Sequence, residues 1–227
     1  MKIFWLPALA VVLLCPSTHL FGQAAKETGA IAPDKLELHN VKADALVYRG
    51  RAAVRIADPG NAASDAAQLA ILRGTSLQDG TIEVALSGDT APDAAPGMRG
   101  FVGIAFRVAS EAQFECFYLR PKNGRSEDQL QRNHSAQYIS VPGFPWEKLR
   151  SETPGKYESY VDLIPGEWTK VRIQIVGSTA RLYVNGSDQP TLVVNDLKQT
   201  PAKGAVALWI GPGTIAHFSE LKITPGK

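Results

Sequence analysis

More than ten short runs rich in Val, Ile, Tyr, Phe and Thr, each closed by turn residues, are what most constrain this chain. Such residues favour the pleated, half-buried surface of a sheet. The runs are Lys35–Asn40, Ala45–Tyr48, Ala53–Ala57, Gln68–Leu72, Thr81–Ser87, Phe101–Val108 and Gln113–Leu119. They continue through Ala136–Val141, Tyr157–Leu163, Thr169–Val176, Ala180–Val184, Thr191–Val194, Ala205–Ile210 and Ile215–Ile223. Pairs such as Asp79-Gly80, Asn123-Gly124 and Pro165-Gly166 punctuate them, and Asn185-Gly186 marks a hairpin. No long helical period competes; Ala62–Leu72 alone is ambiguous, with room for a helical turn before a strand. The pattern predicts an all-β fold, a two-sheet antiparallel sandwich or barrel without internal repeats.

Alternation sorts the strand faces. Val102, Ile104, Phe106 and Val108 fall on one face of their run, and Phe101, Gly103, Ala105 and Arg107 on the other. In the next run Phe114, Cys116, Tyr118 and Arg120 share a face, opposite Glu115, Phe117 and Leu119. If the second face is core, Glu115 is a buried acid in need of a partner.

The chain opens as a secretory leader. Lys2 gives a positive start, Ile3–Cys15 is apolar but shorter than the ~20 residues of a membrane span, and small residues follow at Gly22, Ala24 and Ala25. The expected division is a signal peptide over 1–22, a small polar tether over 23–35 and one β-sandwich domain over 36–227. Cleavage implies a secreted or periplasmic protein with no transmembrane segment. It leaves Cys116 as the one cysteine, hence no internal disulfide, and its aromatic setting reads as a small buried hydrophobe.

Charge excludes one class of partner. With 24 Lys+Arg against 22 Asp+Glu among 227 residues, the net charge of +2 lacks the basic excess of a nucleic-acid surface. Nucleophile elbows, phosphate-binding glycine loops, zinc-protease helices and EF-hand loops are absent, and so is the E-x-D-x-E strand of sandwich glucanases.

Chemistry concentrates in two connections. Pro121–Ser135 carries Arg125, Asp128, Arg132, Asn133 and His134; Pro142–Lys156 carries Phe144, Trp146, Arg150 and Glu152. Aromatic rings stack on the apolar faces of pyranoses, and forked polar groups hold the hydroxyls. Tyr118, Arg120, Arg132, Tyr138 and Trp146 are therefore the candidate sugar-binding residues. His134, the one His among polar neighbours, could serve as general base or as a loop-stabilising hydrogen bonder. His39 and His217 read as structural, and the histidines lack zinc spacing.

Three segments resemble the concanavalin A-like sandwich domains of the bacterial 3-keto-disaccharide hydrolase-like family. Gly103-Ile-Ala-Phe-Arg107, followed by Phe114–Leu119, is similar to that family's G-I-x-x-R strand and its successor. Gly166-Glu-Trp-Thr-Lys-Val-Arg172 with Leu182-Tyr-Val-Asn-Gly186 resembles its G-E-W and L-N-G hairpin. Gly204-Ala-Val-Ala-Leu208 with Phe218-Ser-Glu-Leu-Lys-Ile223 resembles its closing pair, a pattern laminin-G-like modules share. The family's F-x-G-x-x-L-x-x-W opening is missing near Leu36, Gly211-Pro-Gly213 replaces an H-G pair, and 121–156 has no counterpart. The resemblance implies a concanavalin A-like jelly roll. It also implies a chemistry in which a base removes the C2 hydrogen beside a C3 ketone and the glycosidic oxygen leaves. Arg107 or Arg120 would stabilise the enolate, His134 or Glu115 would be the base, and a divalent metal such as calcium could assist.

These readings lead to a secreted module that recognises a glycan in a groove built by one sheet and the 121–156 loops. The alternative is a hydrolase or lyase of 3-keto-glycosides. A third is an adhesion or assembly module for a protein partner.

Overall fold

The computed structural model describes residues 1–2, 31–60 and 66–226. The expected leader from residue 3 on and most of the expected tether fall outside these residues, as does the start of the ambiguous Ala62–Leu72 stretch. In chain order the strands are β1 (Leu36–His39), β2 (Lys42–Tyr48), β3 (Arg51–Ala57), β4 (Gln68–Leu72), β5 (Gly80–Thr90), β6 (Val102–Ser110) and β7 (Gln113–Leu119). A short helix α1 (Gln129–Asn133) precedes β8 (Ala136–Val141), and α2 (Trp146–Glu152) precedes β9 (Glu158–Ser159). The chain closes with β10 (Thr169–Val176), β11 (Thr179–Val184), β12 (Leu192–Val194), β13 (Ala205–Ile210) and β14 (Thr214–Pro225).

Two seven-stranded sheets result. The first runs β1-β4-β13-β6-β7-β8-β9 and the second β12-β11-β10-β5-β14-β3-β2. Every paired neighbour is antiparallel. This is the two-sheet antiparallel sandwich that the alternating runs predict, in the jelly-roll form that the resemblance implies. Asn185 and Gly186 take positive φ of 53° and 76° where the chain turns from β11 toward β12, as the Asn-Gly pair requires.

The core lies between the sheets, where Ile104, Phe106, Phe117, Leu208, Ile82, Ile173 and Phe218 are all buried. A second buried cluster covers the opposite face of the first sheet, with Leu69, Ala105, Cys116, Tyr118 and Ala207. The first sheet is thus apolar on both sides near its middle.

Two expectations change. Alternation along β6 is broken at Arg107, whose φ of 50° accompanies a register shift between Phe106 and Ser110. The bulge moves Val108 to the outer cluster, away from Phe106, and turns the Arg107 side chain toward the second sheet. The run Tyr157–Leu163 pairs only over Glu158–Ser159. It lies at the sheet edge, and beyond it Asp162 is drawn into a forked pair with Arg125 at 2.7 and 2.8 Å. Among the described residues no helix is long and apolar enough to cross a membrane.

Candidate functional site

The outer face of the first sheet ends in an aromatic and arginine-rich corner. In β7, Tyr118 points outward and pairs across the ladder with Gly103 on one side and Gln137 on the other. A Cβ at Gly103 would meet Tyr118 Cβ at 2.6 Å, so only glycine fits beneath that ring. Tyr118 packs against Trp209 at 4.7 Å between ring centroids and against Phe101 at 6.2 Å. It is 2% exposed.

Arg120 follows immediately after β7. Its guanidinium donates to Tyr118 Oη at 2.7 Å, to Gln137 Oε1 at 3.2 Å and to the His134 carbonyl at 2.9 Å. Gln137 is itself fixed, donating to the Tyr138 and Tyr157 carbonyls. Burial lowers the pKa of Arg120 and raises that of Tyr118 well beyond the usual phenol range, with Arg120 pulling Tyr118 the other way. Tyr118 is thus a neutral prop for Arg120 rather than an accessible ring.

Short helices bring the remaining groups. Asp128 caps α1 by accepting from Leu130 N at 2.8 Å and Gln131 N at 3.3 Å, which sets His134 at the helix end. Trp146 and Arg150 lie one turn apart on α2, the guanidinium 4.5 Å from the ring centroid; Arg120 is 5.6 Å from the same ring. Trp146 is 37% exposed. At the edge strand, Glu158 accepts from Arg150 Nε at 2.7 Å. Its other oxygen stands 2.9 Å from His134 Nε2 without the alignment of a hydrogen bond. Burial lowers the His134 pKa; Glu158 opposes this, while Arg150 and Arg120 add to it.

These groups line two adjoining recesses that share His134 and Arg150. One, of about 270 Å³, is lined by Arg99, Phe101, Arg120, Asn123, Trp146 and their neighbours. The other, of about 560 Å³, includes Leu130, Pro154, Glu158 and Tyr160. A depression of about 390 Å³ on the outer face of the second sheet differs in kind. Its Tyr183 ring is covered by Arg172 at 3.8 Å, and Lys222 stands 3.7 Å from Glu83.

The structure brings Tyr118, Arg120, His134 and Trp146 together, and Arg132 stands beside them, donating to Tyr160 Oη at 3.2 Å. Arg107, Glu115 and Tyr138 lie elsewhere, in a polar layer between the sheets. The Tyr138 hydroxyl donates to Glu115 Oε1 at 2.8 Å, and the Gln199 backbone N–H donates to the same oxygen at 3.0 Å. Arg107 donates to Gln78 O, Asp79 Oδ1 and Gly177 O, and stands 3.6 Å from Glu115 Oε2. These three side chains hold the sandwich together and do not line either recess. Strand alternation puts Glu115 and Tyr138 on the inner side, and the bulge puts Arg107 there.

Sequence reasoning named Arg150 without a role and passed over Gln137, Glu158, Phe101 and Arg99. The Trp146-x-x-x-Arg150 spacing is the signal for Arg150. Glu158 carried no signal, because its partners come from α2 and from the turn before β8. Among the described residues no group of three or more His, Cys, Asp or Glu side chains is placed to hold a metal ion.

No protein-family model matches the chain, and no curated protein matches it in sequence. Solved structures do match in fold. The carbohydrate-binding module CBM66 from Bacillus subtilis aligns with a TM-score of 0.53 at 11% identity, over 83% of this chain and 98% of that one. A candidate glycosyl hydrolase from Parabacteroides distasonis aligns at 0.51 and 12% identity, over 86% and 89%. A Bacillus subtilis protein of unknown function with a galectin-like fold aligns at 0.50 and 9% identity, over 88% and 97%. At these identities the likeness establishes the architecture: the chain has a galectin-like β-sandwich fold.

Proposed function

We propose that the protein is a secreted or periplasmic glycan-binding sandwich whose ligand enters the recess between Trp146, Arg120 and His134. The observation that carries this reading is the exposed Trp146 ring held among forked donors at one end of the first sheet. Apolar sugar faces need such a ring, and hydroxyls need fixed polar groups around it. That one structural neighbour is a carbohydrate-binding module supports the reading. The leader-like pattern around Ile3–Cys15 supports export. The test is a panel of neutral and acidic oligosaccharides titrated into the purified protein. Saturable binding that Trp146→Ala weakens about tenfold or more, with the circular dichroism spectrum unchanged, is the expected result. A folded protein that binds no member of the panel would refute it.

A second reading is favoured by one pair. His134, its pKa lowered, stands against the buried Glu158 carboxylate and opens onto both recesses. A neutral imidazole is the form in which His removes a proton, and an adjacent carboxylate stabilises the imidazolium that results. In this reading His134 takes the C2 proton of a 3-keto-glycoside, Arg120 stabilises the enolate, the glycosidic oxygen leaves C1 and is protonated, and water then adds to C1 of the resulting enone as a proton returns to C2, giving 3-keto-glucose. Release of 3-keto-glucose from a 3-keto-disaccharide, with and without divalent metal, and its loss in His134→Gln, tests it.

A further inference from the structure

We infer that the ligand of the smaller recess carries an anionic group, a uronate carboxylate or a sulfate ester, seated against Arg120, Arg99 and Arg150. This inference rests on the glycan-binding reading and names the class of sugar. Three arginines line the recess, and no Asp or Glu is among its lining residues. Arg120 is 4% exposed, and among the described residues its guanidinium is held only by neutral acceptors: the Tyr118 hydroxyl, the Gln137 amide oxygen and the His134 carbonyl. Among the described residues no carboxylate comes within 4.0 Å of it, and its Nε–H makes no hydrogen bond.

The other two keep free donors, though Arg150 already has one carboxylate partner in Glu158. Among the described residues Arg99 donates only to the Met98 carbonyl beside it. Arg150 gives Nε to Glu158 and leaves its terminal nitrogens without a hydrogen bond among the described residues. Asp128 is occupied at the start of α1, and Glu147 lies in the exposed first turn of α2. Arg49, Arg51, Arg55, Arg107 and Arg125 each have a carboxylate within 3.0 Å, as Arg150 has in Glu158; among the described residues Arg120 and Arg99 have none, and of these two Arg120 is the buried one.

A guanidinium taken out of water without a counter-charge is costly, and an arriving carboxylate or sulfate removes that cost. It also gains forked, charge-assisted hydrogen bonds in the geometry that arginine presents. A neutral sugar offers hydroxyls to the same donors but no charge.

The experiment is calorimetric titration of the purified protein with four probes: a galacturonate oligosaccharide, its methyl ester, a sulfated chondroitin oligosaccharide and a neutral galactan oligosaccharide. Inorganic sulfate is titrated separately. The acidic or the sulfated probe should bind about tenfold or more tightly than the ester and the neutral sugar. That binding should weaken as salt is raised from about 0.05 to 0.3 M. Whichever of the two anionic probes binds tighter identifies the group. Arg99→Ala, an accessible position, should weaken it several-fold, and Arg172→Ala on the opposite sheet should leave it unchanged. Equal or tighter binding of the neutral sugar overturns the inference and leaves the glycan-binding reading standing. Inorganic sulfate binding as tightly as the sulfated sugar also overturns it, because the site would then be a simple anion site. Binding of no probe overturns both readings.

Discussion

His217 stacks flat on Tyr48, the ring centroids 3.6 Å apart, on the outer side of the second sheet. Burial, with Arg55 adding its charge, lowers its pKa from the ordinary 6.5 to about 4. The folded protein therefore holds this proton less tightly than the unfolded chain. Its contribution to stability is complete above about pH 6.5 and declines as the pH falls toward about 4. His217→Phe should flatten part of the fall in melting temperature across that window, with His134 responsible for a further part because its pKa is also lowered. An identical pH profile in the variant would contradict the assignment. Single residues also mark where the sequence stops being legible. Alternation correctly put Glu115 opposite Tyr118, yet β7 is apolar on both faces, so which one faced the second sheet could not be read. Alternation places Arg107 on the face opposite Phe106, and the bulge that turns it to the same side leaves no mark on the pattern of hydrophobic residues.

Most strands announce themselves, because each is a run of β-formers between turn residues. β4, β7, β8, β10 and β13 span the residues that alternation picks out. β9 does not, since an edge run with one partner pairs only as far as competing side-chain bonds allow. α1 and α2 have five and seven residues, too few for a helical period to show, and so the two elements that build the recess were the hardest to see. Register across the ladder also sets the site. Gly103 lies opposite both Tyr118 and Trp209. A methyl group there would drive into the Phe117 carbonyl and the Tyr118 side chain. Gly103→Ala should cost about 1 to 3 kcal/mol in chemical denaturation and loosen Arg120, whose partner Tyr118 would move. Unchanged stability would show that the ladder has more room than these contacts indicate.

Across the whole molecule the two sheets share an apolar core and are pinned at one end by the layer of Arg107, Glu115, Tyr138 and Asp79. Arg107 belongs to the first sheet yet donates to Gln78 and Gly177, which flank strands of the second. Removing one member of a buried pair strands the other, so Glu115→Ala should cost about 3 to 5 kcal/mol. Glu115→Gln, which can still accept from Tyr138, should cost less. Equal costs in the two variants would show that charge rather than hydrogen bonding holds the layer. The architecture was legible because it follows from strand count and alternation. The site was legible only as a region, because its residues come from β7, α1, α2 and β9 and meet through tertiary packing alone. The most direct test of the account is calorimetric titration of the tightest oligosaccharide found into the wild type, Trp146→Ala and Arg172→Ala. Trp146→Ala should lose about tenfold or more in affinity while Arg172→Ala binds as the wild type does. Loss in Arg172→Ala with Trp146→Ala unaffected would place the ligand on the other sheet and contradict it.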